Sequence, residues 1–229
     1  MSLSPTARST LRRHRERART DLTELHALLD SCLVCHLGLV VDGAPVVLPT
    51  GFGRDGDTLY LHGSSGAASL LAAAAGAPVC VTVTRMDGVV YARSVFHHSV
   101  NYASAVVHGT AREIRDEPAK RHALRVLVEH LAPGSWEHAR GPTRRELVAT
   151  CVLAVPLDEA SLKVRAGPPA DDEADMASAA WAGVLSLTGR WNTPEPCPRV
   201  PTGMGVPRHI TDRQGPPGGP PPPMPRSHR

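Results

Sequence analysis

The chain has 229 residues, enough for one domain of ordinary size, and only 3% are aromatic, so its core must be built from Val, Leu and Ala. The formal charge of +3 is unevenly spread: residues 1–20 carry net +5, residues 21–191 net −5 and residues 192–229 net +3. A mildly acidic body between basic tails excludes a basic groove for nucleic acid, and Gly76 and Pro78 interrupt the longest apolar stretch, which excludes a membrane-spanning helix there.

Residues 1–19 read as a basic, flexible N-terminus. They lack the apolar run of a secretory signal, so the five cysteines are expected as reduced thiols in the cytoplasm. Residues 20–191 read as one folded domain. It opens with a helix, capped at Thr20-Asp21 with Glu24 following, and Leu22, Leu25, Leu28 and Leu29 form its apolar face. Strands follow at 33–41, 45–52 and 58–62, joined by turns at Asp42-Gly43 and at 54–57. An Ala/Leu helix is expected near 67–75. Val79, Val81 and Val83 alternate with Cys80, Thr82 and Thr84 as in a half-buried strand. A turn at Asp87-Gly88 leads to a strand at 89–96, and another strand covers 101–114. Asp116 opens a helix to about Leu131, and an apolar run at 148–155 and a short strand at 161–165 follow. Short strands with hairpin turns and few helices predict a mainly β fold, an antiparallel barrel with flanking helices. Residues 192–229 hold 12 of the 22 prolines, including the run Pro220–Pro223, and read as a Pro/Gly-rich disordered tail.

Three segments carry candidate chemistry. Cys32-Leu33-Val34-Cys35-His36 matches the C-x-x-C-H pattern of covalent haem attachment. No export signal accompanies it, and Cys35 begins an apolar strand, so attachment is not expected. No second Cys/His pair at ligand spacing makes it a zinc site either. The turn His62-Gly63-Ser64-Ser65-Gly66 follows a strand and opens a helix, where small residues, hydroxyls and free amides suit a phosphate. It is neither a Walker loop nor a nucleophile elbow. The stretch from Arg93 to Ser104 packs Ser94, His97, His98, Asn101, Tyr102 and Ser104 between apolar strands. So many polar groups suit a polar heteroaromatic ligand or a water-facing connection, with His97 or His98 as an alternative axial haem ligand.

The segments 36–38, 45–50, 57–64, 79–84, 92–104 and 163–169 together resemble the pyridoxamine 5′-phosphate oxidase-like family. Within it they are most similar to the flavin-nucleotide-binding branch that includes the nitroimidazole-resistance (Nim) proteins. The resemblance implies an FMN-binding split β-barrel, a homodimer with flavin at the subunit interface, and an oxidoreductase that passes electrons from a nicotinamide or other reductant to a small-molecule substrate such as a nitro-aromatic; the alternative is a non-catalytic flavin- or haem-binding dimer acting as carrier or sensor. Haem and a deazaflavin are the alternative cofactors. It implies that His62, Gly63, Ser64 and Ser65 meet the phosphate. Thr50, Ser94, Asn101, Tyr102 and Ser104 would meet the ribityl and ring. Lys163, Arg165 and Trp181 would close the site, and His97 or His98 would serve the substrate as a proton donor. One departure is plain: where the family commonly has an early-helix Arg or Lys, this chain has Ala67, Ala68 and Ser69.

Overall fold

The computed structural model describes residue 3 and residues 6–213. Ten strands form one antiparallel sheet. They are β1 (Ala18–Arg19), β2 (Val34–Val41), β3 (Ala44–Asp55), β4 (Thr58–Ser64), β5 (Pro78–Tyr91), β6 (Ser99–Thr110), β7 (Arg112–Glu113), β8 (Thr150–Pro156), β9 (Glu159–Arg165) and β10 (Gly183–Ser186). Their order is β1-β9-β6-β5-β2-β3-β4-β8-β7, with β10 added to β5. The sheet curls around its core but does not close, since its terminal strands β1 and β7 do not pair with each other.

Local chemistry explains the main elements. Asp21 caps α1 (Leu22–Ser31) by accepting from the Thr23 amide at 2.8 Å. Its Leu25, Leu28 and Leu29 are buried against the concave face of the sheet, as the apolar spacing predicts. Along β2, Cys35, Leu37 and Leu39 face inward and their neighbours outward. The β2–β3 turn has Asp42 at φ 50° and Gly43 at φ 79°, two left-handed residues whose twist matches a two-residue hairpin. Helix α2 (Ala68–Ala74) places Leu70 and Ala73 in the same core. Helix α3 (Glu117–Leu131), capped by Asp116, lies on the opposite face over β3, β4 and β8. There Ala123 packs with Ile114, Val152 and Ala154 in a second, smaller core. Gly53 permits this approach: a Cβ at that position would lie 2.9 Å from the Val126 carbonyl oxygen of α3.

The strand boundaries differ from the sequence reading at one instructive place. Asp87-Gly88 is not a turn. β5 runs through it with a bulge between Met86 and Gly88, and pairing to β6 continues on both sides of the bulge, from Pro78 to Val90. On its other edge β5 pairs with β2 at 80–82 and with β10 at 88–91. The segment expected as strand 89–96 is therefore the end of β5 plus the turn Val95–His97, and β6 spans Ser99–Thr110 rather than 101–114.

At the N-terminus Arg8 and Thr6 bond Glu159 on β9. Two short helices, α4 (Ser135–His138) and α5 (Arg144–Ala149), lead from α3 into β8. Residues 192–213 run as coil and turns with one short helix, α6 (Arg208–Thr211), whose His209 ring meets His138 at 4.8 Å. The proline run at 216–223 lies outside the described residues. No helix among the described residues is long and apolar enough to cross a membrane.

Candidate functional site

The structure divides the sequence-predicted site residues between two regions of the sheet. The first is the end of β4 and its turn into α2. His62, Gly63 and Ser64 pair with Val152, Cys151 and Thr150 of β8. Gly63 leaves room for Leu70, whose Cδ1 would lie 2.6 Å from a Cβ there, so α2 packs tightly on the strand. The turn uses much of its own hydrogen-bonding capacity. Ser65 N donates to Ala149 O at 2.9 Å, Gly66 N to Ser64 Oγ at 3.3 Å and Ala67 N to Ser64 O at 3.1 Å. No side chain caps α2, so the first-turn amides of Ala68, Ser69 and Leu70 remain as donors beside the Ser64 and Ser65 hydroxyls. No Lys or Arg lies between Ser64 and Arg85. His62 is exposed, yet desolvation by the surrounding chain lowers its pKa, so it offers no positive charge at neutral pH. Thr50 is half-buried on β3 opposite Cys35, on the core side, and its hydroxyl donates to Gly51 O at 3.3 Å.

The second region is the convex face of β5, β6 and β9. Directly opposed residues share a face, so Met86, Tyr102 and Arg165 form one row and Thr84, Ser104 and Lys163 the next. Lys163 has no hydrogen-bond or ion-pair partner among the described residues, which leaves its ammonium available. Asn101 faces the other way and is 5% exposed. Its Nδ2 donates to Gly167 O at 3.2 Å, and its Oδ1 accepts from Gly167 N at 3.2 Å and from Arg165. Both polar atoms of Asn101 are thus spent on holding the chain after β9. Arg165 also donates to Pro168 O at 3.3 Å.

Beside this face lies a tied pair of loops. The Arg93 amide and guanidinium grip Asp171 at 2.6 and 2.8 Å. Burial opposes ionisation of Asp171, but these two bonds outweigh it and hold the carboxyl below its usual range. Ser94 caps the next turn by accepting from Phe96 N at 3.4 Å. His97 Nε2 meets Asp172 at 3.2 Å, and His98 Nδ1 meets Ser94 O at 3.1 Å. His97, Asp172 and Asp175 bring three ligand atoms within 4.8 Å of one another, with His97 and Asp175 half-buried and Asp172 exposed. Tyr91 joins the two loops, its ring 5.7 Å from His98 and 5.9 Å from Trp181. The sequence reading missed Tyr91, Asp171 and Asp172; the acidic pair at 171–172 was the only signal for the latter two.

β4 lies four ladder steps from β6 around the curled sheet, and no hydrogen bond among the described residues joins the predicted phosphate residues to the predicted ring residues. Cys35 is buried, and desolvation pushes its thiol pKa up to about 12, so the C-x-x-C-H match offers no reactive pair.

Among curated proteins none matches the chain. Among solved structures, the FAD and haem binding protein of Mycobacterium smegmatis is 41% identical with a TM-score of 0.85, covering 89% of this chain and 100% of its own. The flavocytochrome Anf3 of Azotobacter vinelandii is 38% identical with a TM-score of 0.87, covering 92% of this chain and 98% of its own. A candidate 5-nitroimidazole antibiotic resistance protein of Bacteroides thetaiotaomicron is 26% identical with a TM-score of 0.56, covering 64% of this chain and 86% of its own. The profile for pyridoxamine 5′-phosphate oxidase matches residues 21–164. The chain belongs to the pyridoxamine 5′-phosphate oxidase family, with its split-barrel, flavin-binding fold.

Proposed function

We propose that the chain is a redox protein that binds FAD, in place of the FMN expected from the sequence, together with a non-covalently held haem. The observation that carries this reading is identity of 41% and 38% over 89% and 92% of the chain to an FAD and haem binding protein and a flavocytochrome. The residues present fit both groups. The convex face offers the hydroxyls of Thr84, Tyr102 and Ser104 and the unpaired Lys163 to a flavin ribityl-phosphate chain. The loop above it offers an imidazole and exposed aromatic rings to a porphyrin. The buried Cys35 argues against a thioether link.

When bound, the flavin accepts a hydride from a nicotinamide or other reductant, and the haem exchanges single electrons. The chain's own part is to orient and shield them. Lys163 balances phosphate charge. The Arg93–Asp171 and Asn101–Gly167 bonds keep the rim in place. The exposed side chains of Val100 and Leu185, opposed through Val89, exclude water. The substrate that such a site would serve is a small acceptor, nitro-aromatic in the reading that the 5-nitroimidazole relative suggests. We read the chain as a homodimer with the flavin at the subunit interface, as the family resemblance implies. Val34, Val40 and Val47, 51%, 57% and 66% exposed on the convex side of β2 and β3, are available for such an interface. The five free thiols fit a reducing compartment, in keeping with a cytoplasmic protein.

The test is to purify the protein without added cofactor, record its absorption spectrum and identify the acid-extracted flavin by chromatography. FAD together with a Soret band is expected. Extracted FMN or deazaflavin would correct the flavin alone. A colourless protein that takes up neither FAD nor hemin would overturn the reading.

A further inference from the structure

Resting on the haem-binding reading above, we infer that His98, and not the adjacent His97, is the axial ligand of the iron through its Nε2, and that the exposed aromatic surface around it seats the porphyrin. Iron above a porphyrin takes the Nε2 of a neutral imidazole, because ligation through Nδ1 would press the backbone against the macrocycle, and Nδ1 then needs an acceptor that fixes the tautomer. Among the described residues His98 meets both conditions. Its Nδ1 lies 3.1 Å from the Ser94 carbonyl oxygen, which can only accept, and 3.4 Å from the Ala92 amide, which can only donate, so Nδ1 is held from the backbone in either tautomer; iron at Nε2 would select the form with the proton on Nδ1 and the Ser94 carbonyl as its acceptor. No described residue bonds Nε2.

The other histidines are differently placed. Nε2 of His26, His97, His122 and His130 is engaged by Asp57, Asp172, Asp55 and Cys32 O at 2.9, 3.2, 2.8 and 2.7 Å. His14 meets Glu16 at 3.2 Å. His138 and His209 lie against each other. His36, His62 and His108 have no acceptor on Nδ1 to orient them.

The surroundings point to the same place. Trp181, reached from His98 through Tyr91, is 69% exposed, and Val95 and Phe96 in the same turn are 87% and 86% exposed, with the Phe96 ring 5.2 Å from that of His97. Tyr91 links the His98 and Trp181 rings. A flat apolar macrocycle is the occupant that satisfies both an exposed aromatic surface and an unpartnered imidazole nitrogen. The base beneath is tied: the His97 amide donates to Ser94 O at 3.1 Å, and Asp171 and Asp172 hold Arg93 and His97. His97 is thus a positioning residue, fixing the turn that aims its neighbour.

The experiment titrates the full-length protein and its His98→Ala, His97→Ala and His98→Gly variants with hemin, reading the Soret band and the spin state by electron paramagnetic resonance. His98→Ala is expected to lose hemin affinity at least tenfold or to lose the wild-type spectrum. His97→Ala is expected to keep the ligand signature, and added imidazole is expected to restore it in His98→Gly. His98→Met, a ligand switch of similar bulk, should shift the Soret band. A wild-type spectrum in His98→Ala would overturn the assignment while leaving haem binding intact. A wild-type protein that binds no hemin would instead remove the haem reading itself, and this inference with it.

Discussion

Replacing Asn101 by Ala removes three hydrogen bonds at a site that is 5% exposed. Two join the side chain to both backbone groups of Gly167 at 3.2 Å, and the third comes from the Arg165 guanidinium. Neutral bonds contribute about 0.5–1.5 kcal/mol each and a bond to a charged group about 1.5–3 kcal/mol. Arg165 is partly exposed, so the lower half of that range applies and the loss comes to about 3 kcal/mol. For a domain of this size that lowers the melting temperature by about 6–12 °C. Calorimetry gives the global figure, and hydrogen exchange at the Gly167 amide gives the local one. Asn101→Asp keeps the acceptor for Gly167 N and Arg165 but not the donor to Gly167 O, so it should lose less than Asn101→Ala. If Asn101→Ala melts within about 1 °C of wild type with Gly167 still protected, the side chain is not holding this loop. Binding flavin would then be the better explanation of why an amide sits there.

Three further outcomes are expected. Gly53→Ala puts a methyl 2.9 Å from the Val126 carbonyl oxygen and should cost about 1–3 kcal/mol as α3 lifts from β3; an unchanged melt would mean that α3 shifts freely. Hydrogen bonds from Arg8 and Thr6 draw the Glu159 carboxyl down to about 2, below its unfolded value, so its stabilisation holds above the ordinary carboxylate range and is lost as pH falls toward 2. Amide exchange at Thr6 and Ser9 should therefore rise only in acid, and Glu159→Gln should remove that dependence. Ala68→Arg restores a cation to the first turn of α2; with Lys163 as the partner of the phosphate, flavin affinity in a fluorescence titration should stay unchanged, and a tightening of about tenfold would move the phosphate to this turn.

Much of the fold could be read from local chemistry. The Asp42-Gly43 hairpin, the Asp21 and Asp116 caps and the inward Cys35, Leu37 and Leu39 each follow from residues close together in sequence. Asp87-Gly88 misled because a bulge and a turn share the same dipeptide preference, and only the partner strand β6 distinguishes them. The candidate site was legible as a set of polar residues but not as an arrangement. Nothing local separates Asn101, which faces the loop after β9, from Tyr102, which faces outward, until the register with Met86 and Gly88 is known. Nothing in the pair His97-His98 tells which is spent on a carboxylate 75 residues away. Ion pairs across such separations are decided by the packing of whole strands.

The insertion of β10 beside β5 bears on how the protein is made. A strand more than 90 residues downstream completes four rungs of β5 in the interior of the sheet, not at its rim. During synthesis the upstream strands emerge first and must wait with the 88–91 edge bare, a non-local pairing of the kind that slows folding. A truncation placed after residue 164, where the family match ends, would leave that edge permanently open to a neighbouring chain. Residues 183–186 thus cover an edge of β5 that the family-matched region alone would leave bare.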